Sequence, residues 1–279
     1  MKLEISDFKK SKRFLVCVDS DGCAMDTMEV KHRKCFAPKA IEIWGLKDIA
    51  TKFLETWNIV NLYSKTRGIN RFIGLVKTFE TLVAEGIDMP NFSSVSEWTK
   101  TSKELSNPAL ERVIGETVDE QLVKTLEWSK AVNKAISELP EDDKPFDNVM
   151  EALEIISGFA DVAVVSSANA GAINAEWTRH GFAPYVQVML GQEAGTKSAC
   201  IAGLKRNNYY EDEVLMVGDA PGDLEAATNN GVLYYPILAG NEGVSWKQIL
   251  SQALPRFVDG SYRGEYQQKL IDEFNSTLK

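Results

Sequence analysis

Two acidic residues that lie one position apart, Asp19 and Asp21, directly follow the apolar run at residues 14–18. Gly22 comes immediately after them. Two carboxylates this close repel each other, so either water or a cation must offset their charge. The pair is therefore a candidate site for a bound cation.

Polar residues also follow three later apolar runs, at residues 162–165, 186–190 and 214–218. The residues in question are Ser166 and Ser167 after the first run, Lys197 a short loop after the second, and Asp219 and Asp223 after the third. If these runs are parallel strands, their carboxyl ends open onto one crevice, where such sheets bind ligands. We therefore expect side chains that are distant in sequence to converge there.

The converged set would contain carboxylates, hydroxyls and one ammonium group. Carboxylates packed this closely need a divalent cation, and oxygen ligands favour a hard ion, usually Mg²⁺ where a phosphate completes the coordination. Ser166 and Lys197 suit phosphate oxygens, because they supply a hydroxyl donor and a point charge. The pattern predicts a site where Asp19 and Asp21 share a metal ion and a phosphoryl group.

Each of these residues also has an ordinary structural interpretation. Asp19 and Asp21 could lie at a solvated strand end, the two serines could cap the next helix, and Lys197 could be a solvated lysine. Asp223 could simply favour the N-terminal dipole of a helix that begins at Pro221. The functional interpretation rests on their order, since each follows a different predicted strand.

The elements that position these residues can be read from periodicity. Residues 28–142 read as almost wholly helical, with a stripe at Phe72, Val76, Phe79 and Val83. From residue 146 onward, apolar strands alternate with helices, which is typical of a parallel sheet covered on both faces. We predict an α/β fold with a doubly wound, Rossmann-like parallel sheet in residues 1–27 and 143–279. An all-helical domain at residues 28–142 is predicted to interrupt it.

Composition excludes some classes of function. The chain has 279 residues, 44% of them hydrophobic, with 31 basic and 40 acidic residues and a net charge of −9. This balance argues against nucleic-acid binding, which usually requires a basic face. No apolar run predicts a signal peptide or a membrane span. The four cysteines form no CxxC pair, which favours a reduced, cytoplasmic location.

These motifs together resemble those of the haloacid dehalogenase (HAD) superfamily, specifically its phosphatase branch. Residues 18–27, VDSDGCAMDT, resemble its first motif, Ser166 the second, Lys197 the third, and residues 217–223, VGDAPGD, the fourth. The helical region occupies the position of the cap that this superfamily inserts after the first motif. The resemblance covers residues 14–27 and 147–239 and does not encode the substrate.

The resemblance implies a role for each matching residue. Asp19 would be the nucleophile that forms an aspartyl-phosphate, and Asp21 the general acid and base. Mg²⁺ would be held by the carboxylates of Asp19 and Asp219 and by the backbone carbonyl of Asp21. The other residues with an implied role are Ser166, Ser167 and Lys197, which would bind phosphate, and Asp223, which would hold a metal-bound water or Lys197.

Small differences favour simple hydrolysis of a phosphorylated metabolite. Asp21 is present, as in members that transfer phosphate to and from oxygen, and Gly218 stands where mutases of the family often carry Glu. Cys23 replaces the usual threonine and is given no catalytic role. Two alternatives stay open, a phosphosugar mutase and a non-catalytic binding protein that keeps the fold.

The helical insertion offers one candidate substrate contact. Arg67 and Arg71 are four residues apart and could meet a second anionic group of a substrate, although a solvated basic turn is an equal interpretation. At the C-terminus a helix is predicted, with an apolar stripe of Tyr266, Leu270, Phe274 and Leu278. That stripe could cover the chain's own core or a second copy, so either a monomer or a homodimer is expected.

Overall fold

The computed structural model describes residues 4–140 and 143–278. Within this range the chain forms two compact units, one of residues 4–27 and 143–278 and the other of residues 28–140. The predicted domain boundary between residues 142 and 143 lies partly outside the described residues. Among the helices of the described residues, none is both long and apolar enough to span a bilayer.

The first unit is built on a five-stranded parallel sheet in the order β3-β2-β1-β4-β5. Its strands are β1 Phe14–Val18, β2 Ala160–Val165, β3 Val188–Leu190, β4 Val214–Gly218 and β5 Leu233–Pro236. Every strand residue is buried, as expected for a parallel sheet that is covered on both faces. The predicted fold class, an α/β sheet of this type, is confirmed.

The second unit is helical, and its described residues contain no strand. Its α-helices are α1 Met28–Lys31, α2 Ala37–Trp44, α3 Ala50–Asn58, α4 Arg71–Ala84, α5 Ser93–Thr101, α6 Asn107–Glu116 and α7 Glu120–Ser137. Two π-helical segments, His32–Phe36 and Ile59–Tyr63, follow α1 and α3. Aromatic rings fill its core, and the indole N–H of Trp128 donates to the Phe36 carbonyl at 3.1 Å.

Among the described residues, seven more α-helices belong to the unit that contains the sheet. They are α8 Val149–Phe159, α9 Ala170–Arg179, α10 Lys197–Lys205, α11 Pro221–Asn229, α12 Glu242–Gln248, α13 Leu254–Asp259 and α14 Glu265–Thr277. Successive residues of β1 point to opposite faces, so Val16 packs with α8 and α9 while Cys17 packs with α10 and α11. The sheet is therefore enclosed by a separate apolar cluster on each face.

The terminal helix α14 covers the chain's own core. Phe274 is buried and its ring packs edge-on against Tyr234 of β5, with centroids 5.9 Å apart. Leu278 is also buried in the same cluster, and Tyr266 and Leu270 pack against the cluster on the other face. The predicted apolar stripe is therefore occupied within the chain.

A buried carboxylate, Asp161 of β2, anchors the segment that leads into β1. It accepts backbone N–H bonds from Ser11 and Lys12 at 2.8 Å each, and further bonds from the side chains of Ser11, Gln187 and Tyr209. Burial raises the pKa of Asp161, but the hydrogen bonds from Ser11, Tyr209 and Lys12 outweigh it and hold the pKa below its ordinary value of 3.8. The ionised form is the one that these donors stabilise.

We expect Asp161→Asn to lower the free energy of unfolding near pH 7 by about 2 kcal/mol, because charge-assisted hydrogen bonds are lost. A carboxyl with a depressed folded-state pKa stabilises the fold above its unfolded pKa, and this contribution disappears as the pH falls through the folded pKa. The difference between wild type and variant should therefore shrink below pH 3.8. Urea unfolding at several pH values measures this difference in the free energy of unfolding, with Asp272→Asn at an exposed position as the control. A difference that does not change with pH would contradict the conclusion that Asp161 is ionised in the folded state.

Candidate functional site

A hydrogen-bonded turn follows β1 immediately and spans Asp19 to Met25. The Ser20 carbonyl accepts the N–H groups of Ala24 and Met25 at 2.9 Å, and Gly22 has a φ of +81°, in the left-handed region that favours glycine. The Ser20 N–H donates to Asp19 Oδ1 at 2.8 Å. The local backbone therefore orients the first aspartate of the pair.

Asp19 lies between two strands at the point where the strand order reverses. β1 pairs with β2 on one side and with β4 on the other. The Asp19 N–H donates to the Val217 carbonyl of β4 at 3.0 Å. This is the position where open α/β sheets bind ligands, at the carboxyl ends of the strands. Asp219, directly after β4, lies beside Asp19 for the same reason.

Lys197, the first residue of α10, joins two of the acidic residues. Its Nζ lies 2.7 Å from Asp19 Oδ2 and 2.5 Å from Asp223 Oδ1. The other oxygen of Asp223 accepts the Ala220 N–H at 3.1 Å. Both Asp223 oxygens are therefore engaged in holding Lys197 and the start of α11.

The ionisation of this cluster follows from burial and from the neighbouring charges. Burial alone would lower the pKa of the Lys197 ammonium, but Asp19 and Asp223 outweigh it and hold the pKa above its ordinary value. Burial raises the pKa of Asp223 to about 7, opposed by Lys197 and reinforced by Asp19 and Asp219. Lys197 is the charged partner on which the carboxylates depend.

Three carboxylates, those of Asp19, Asp219 and Asp223, form a buried group that could hold a metal ion. Their ligand oxygens lie within 4.8 Å of one another, and all three residues are buried. The three carboxyl groups outnumber the one ammonium group of Lys197, and with Lys197 protonated and the other two carboxylates ionised the net charge is negative once Asp223 ionises. A hard divalent cation with oxygen ligands fits both this donor set and this charge.

Asp21 is not a member of this carboxylate group. It is partly exposed, and its Oδ1 accepts a hydrogen bond from Thr27 Oγ1 at 2.6 Å. Its predicted contribution to a metal site, through the backbone carbonyl, remains a prediction. The carboxyl group is oriented by Thr27 instead.

The two predicted serines differ in exposure. Ser166 is buried, its N–H donates to the Leu190 carbonyl at 2.9 Å, and its Oγ accepts the Ala168 N–H at 3.3 Å, whereas Ser167 is exposed. Gly191 allows the loops after β2 and β3 to pack closely, because a Cβ at this position would lie 2.5 Å from the Ala170 nitrogen. Binding of phosphate by either serine stays a prediction.

Arg67 and Arg71 belong to the helical unit, where both side chains make hydrogen bonds. Arg67 is buried and donates to the Leu62 carbonyl at 2.8 Å. Arg71 donates to Asn133 Oδ1 at 2.6 Å and to Ser129 Oγ at 3.2 Å, and burial lowers its pKa to about 10. The predicted role of both arginines in binding substrate stays a prediction.

Several side chains that support the site were not singled out from the sequence. Thr27 binds Asp21, and two buried indoles donate to the turn after β1: Trp177 to Ser20 Oγ at 2.9 Å and Trp246 to the Cys23 carbonyl at 2.8 Å. The sequence carries no signal for the two tryptophans, because the acceptor of a buried indole N–H depends on packing between distant segments.

Comparison with known proteins assigns the family. Residues 69–235 match the model of the haloacid dehalogenase-like hydrolase family. The matched range is more than half of the chain and contains Ser166, Lys197, Asp219 and Asp223, although it begins after Asp19. The chain belongs to this family, and the predicted family and its class as a hydrolase are confirmed. No curated protein matches the chain.

Solved structures with a similar fold share little sequence with this chain. A predicted phosphatase from Clostridium acetobutylicum is 14% identical, with 86% of this chain and all (100%) of that chain covered and a TM-score of 0.46. A provisionally named phosphoglycolate phosphatase from Lactobacillus delbrueckii subsp. bulgaricus is 16% identical, with coverages of 80% and 85% and a TM-score of 0.49. A provisionally named beta-phosphoglucomutase from Thermotoga maritima is 18% identical, with coverages of 81% and 85% and a TM-score of 0.45.

Gly218 provides a test of this geometry, because a Cβ there would lie 2.3 Å from Asp223 Cγ. We expect Gly218→Ala to displace the Asp223 carboxylate from Lys197 and to lower the free energy of unfolding by about 1–3 kcal/mol. Chemical denaturation measures this effect. Gly158→Ala in α8 is the matched control, since open space surrounds that position. Equal stability of the two variants would contradict the close approach.

Proposed function

We propose that this chain is a Mg²⁺-dependent phosphatase that hydrolyses a small organic phosphate monoester through an aspartyl-phosphate on Asp19. The observation that carries the proposal is the contact of Lys197 Nζ with Asp19 Oδ2 at 2.7 Å. The adjacent ammonium offsets the negative charge of the Asp19 carboxylate, so an anionic substrate meets less repulsion as the carboxylate attacks it. Membership of the haloacid dehalogenase-like hydrolase family supports the same assignment.

Asp19 attacks phosphorus in this proposal, and the bond to the leaving alkoxide oxygen breaks as the Asp19 oxygen bonds to phosphorus. The transition state of phosphoryl transfer is loose, so positioning and neutralisation of oxygen charge supply most of the rate. Lys197 and Ser166 contribute to this neutralisation. Asp223 positions Lys197 for this role. Its Oδ1 accepts a hydrogen bond from Lys197 Nζ, and its Oδ2 accepts the Ala220 N–H.

Asp21 serves as the general acid and base in this proposal. It delivers a proton to the leaving alcohol and then removes one from the water that hydrolyses the aspartyl-phosphate. The Thr27 hydroxyl donates to Oδ1 of Asp21 at 2.6 Å and orients the carboxyl group that transfers the proton. Partial exposure of Asp21 is compatible with exchange of that proton with water.

Asp19 and Asp219, with the backbone carbonyl of Asp21, are the proposed Mg²⁺ ligands. The net charge of the carboxylate group and its oxygen donors support a hard divalent cation. The ion, when bound, supplies charge neutralisation for the phosphoryl oxygens. The substrate is proposed to be a small phosphorylated metabolite, and the identity of its organic part is left to a substrate panel.

Gly218 favours hydrolysis over mutase chemistry. Mutases of the resembled superfamily often carry Glu at this position, and Asp223 leaves no space there even for a Cβ. Product analysis separates the two reactions. A phosphatase releases inorganic phosphate, whereas a mutase yields an isomer of its substrate.

We expect Asp19→Asn to reduce phosphatase activity at least about a thousandfold, because the nucleophile is lost. Release of inorganic phosphate from p-nitrophenyl phosphate and from a panel of phosphorylated metabolites measures the loss. Asp272→Asn, an exposed change of the same type in α14, is the control and should keep full activity. Near-wild-type activity of Asp19→Asn would refute the assignment of the nucleophile.

We expect EDTA to abolish activity and added Mg²⁺ to restore it, because the carboxylate group needs a cation to accept an anionic substrate. Asp219→Asn should weaken Mg²⁺ binding at least about tenfold, since it removes one anionic ligand. Isothermal titration with MgCl₂ measures the affinity of wild type and variant directly. Full activity in EDTA, or unchanged affinity in the variant, would contradict the proposed metal site.

A further inference from the structure

Ser20 stands between Asp19 and Asp21, and its polar groups make hydrogen bonds on both the backbone and the side chain. Its N–H donates to Asp19 Oδ1, its carbonyl accepts the N–H groups of three residues of the turn, and its Oγ accepts the indole N–H of Trp177 at 2.9 Å. The residue is fully buried. Any rotation of the Ser20 peptide therefore moves both neighbouring aspartates.

Trp177, the donor of this bond, is packed in the core. It lies on α9, is fully buried, and packs edge-on against Phe182 with ring centroids 5.5 Å apart. The indole is a donor only, so its orientation is defined by the acceptor that it meets. Ser20 Oγ is that acceptor, although the two residues are 157 positions apart.

The bond links two segments of the candidate site. α9 is the helix that follows the loop after β2, which begins at Ser166, and the Asn169 side chain caps it through the Ala172 N–H at 3.2 Å. Ser20 belongs to the turn after β1. Trp177 therefore joins the support of the predicted phosphate-binding loop to the support of the predicted nucleophile.

We propose that Trp177 and Ser20 are a positioning pair that fixes the geometry of Asp19 and Asp21, an inference that rests on the proposed function of that site. Neither side chain takes part in a chemical step. Their effect is exerted through the Ser20 backbone, whose N–H binds the nucleophilic carboxylate and whose chain continues into Asp21. A misplacement of about 1 Å at a reacting group costs up to about a hundredfold in rate.

The experiment is a double-mutant cycle of Trp177→Phe and Ser20→Ala. Trp177→Phe keeps a buried aromatic ring and removes the indole N–H, and Ser20→Ala removes the hydroxyl group that accepts its hydrogen bond. We expect either change to lower kcat for p-nitrophenyl phosphate roughly tenfold to a hundredfold, with KM changed less than about threefold. The double variant should lose little more than either single variant, because both remove the same bond.

Trp128→Phe is the matched control. It removes a buried indole N–H bond to the Phe36 carbonyl at 3.1 Å in the helical unit. A general loss of stability should therefore appear in both Trp177→Phe and Trp128→Phe, as a lower Tm. A loss of kcat per folded molecule should appear in Trp177→Phe and not in Trp128→Phe.

Mg²⁺ binding gives a second readout that needs no turnover. Isothermal titration with MgCl₂ should show at least about tenfold weaker binding in Trp177→Phe and Ser20→Ala, again without additivity, because Asp19 and Asp21 supply proposed ligands. If wild type binds Mg²⁺ but hydrolyses no phosphate monoester, the proposed function fails while a weakened, non-additive Mg²⁺ affinity still supports the positioning pair. Two results would overturn the positioning pair. One is a wild-type kcat and a wild-type Mg²⁺ affinity in both single variants. The other is a double variant whose loss equals the product of the two single losses.

Discussion

The burial of three carboxylates around one ammonium group is the constraint on which the rest of this structure depends. Asp19, Asp219 and Asp223 come from two segments that only the pairing of β1 with β4 brings together, and Lys197 compensates part of their charge. Burying like charges is costly unless they are paired or coordinated. The remaining negative charge supports the proposed hard cation and, through it, the proposed anionic substrate.

The supports of this group are themselves buried and hydrogen-bonded. Asp223 occupies the space that a side chain at Gly218 would need, and it accepts the Ala220 N–H. Two indole N–H groups donate to the turn after β1. Placing catalytic groups on strand ends and rigid turns limits their motion to what the surrounding core allows. In this chain Trp177 and Trp246, which belong to the apolar cluster on one face of the sheet, both donate hydrogen bonds to the turn after β1.

Family membership and site geometry support the proposed function through different parts of the chain. The family match covers residues 69–235, so it contains Lys197, Asp219 and Asp223 but not Asp19 or Asp21. The contact between Lys197 and Asp19 connects the matched part to the first strand. Asp19 lies outside the matched range, and only the fold brings it next to Lys197. The proposed attack by Asp19 is therefore supported by the fold and not by the family match.

The sequence by itself determined the strands at residues 14–18, 162–165, 186–190 and 214–218, their alternation with helices, and the convergence of Asp19, Asp219 and Lys197. Buried parallel strands are continuous apolar runs, and their carboxyl ends share one edge of the sheet. Only the tertiary structure decided which atoms these side chains contact. In it, Lys197 bridges Asp19 and Asp223. Thr27 donates to Asp21, and Trp177 donates to Ser20. The tertiary structure also decided that α14 covers its own sheet. Periodicity reports which face of an element is buried, whereas the partner of a polar atom depends on packing between distant segments, for which local sequence carries no signal.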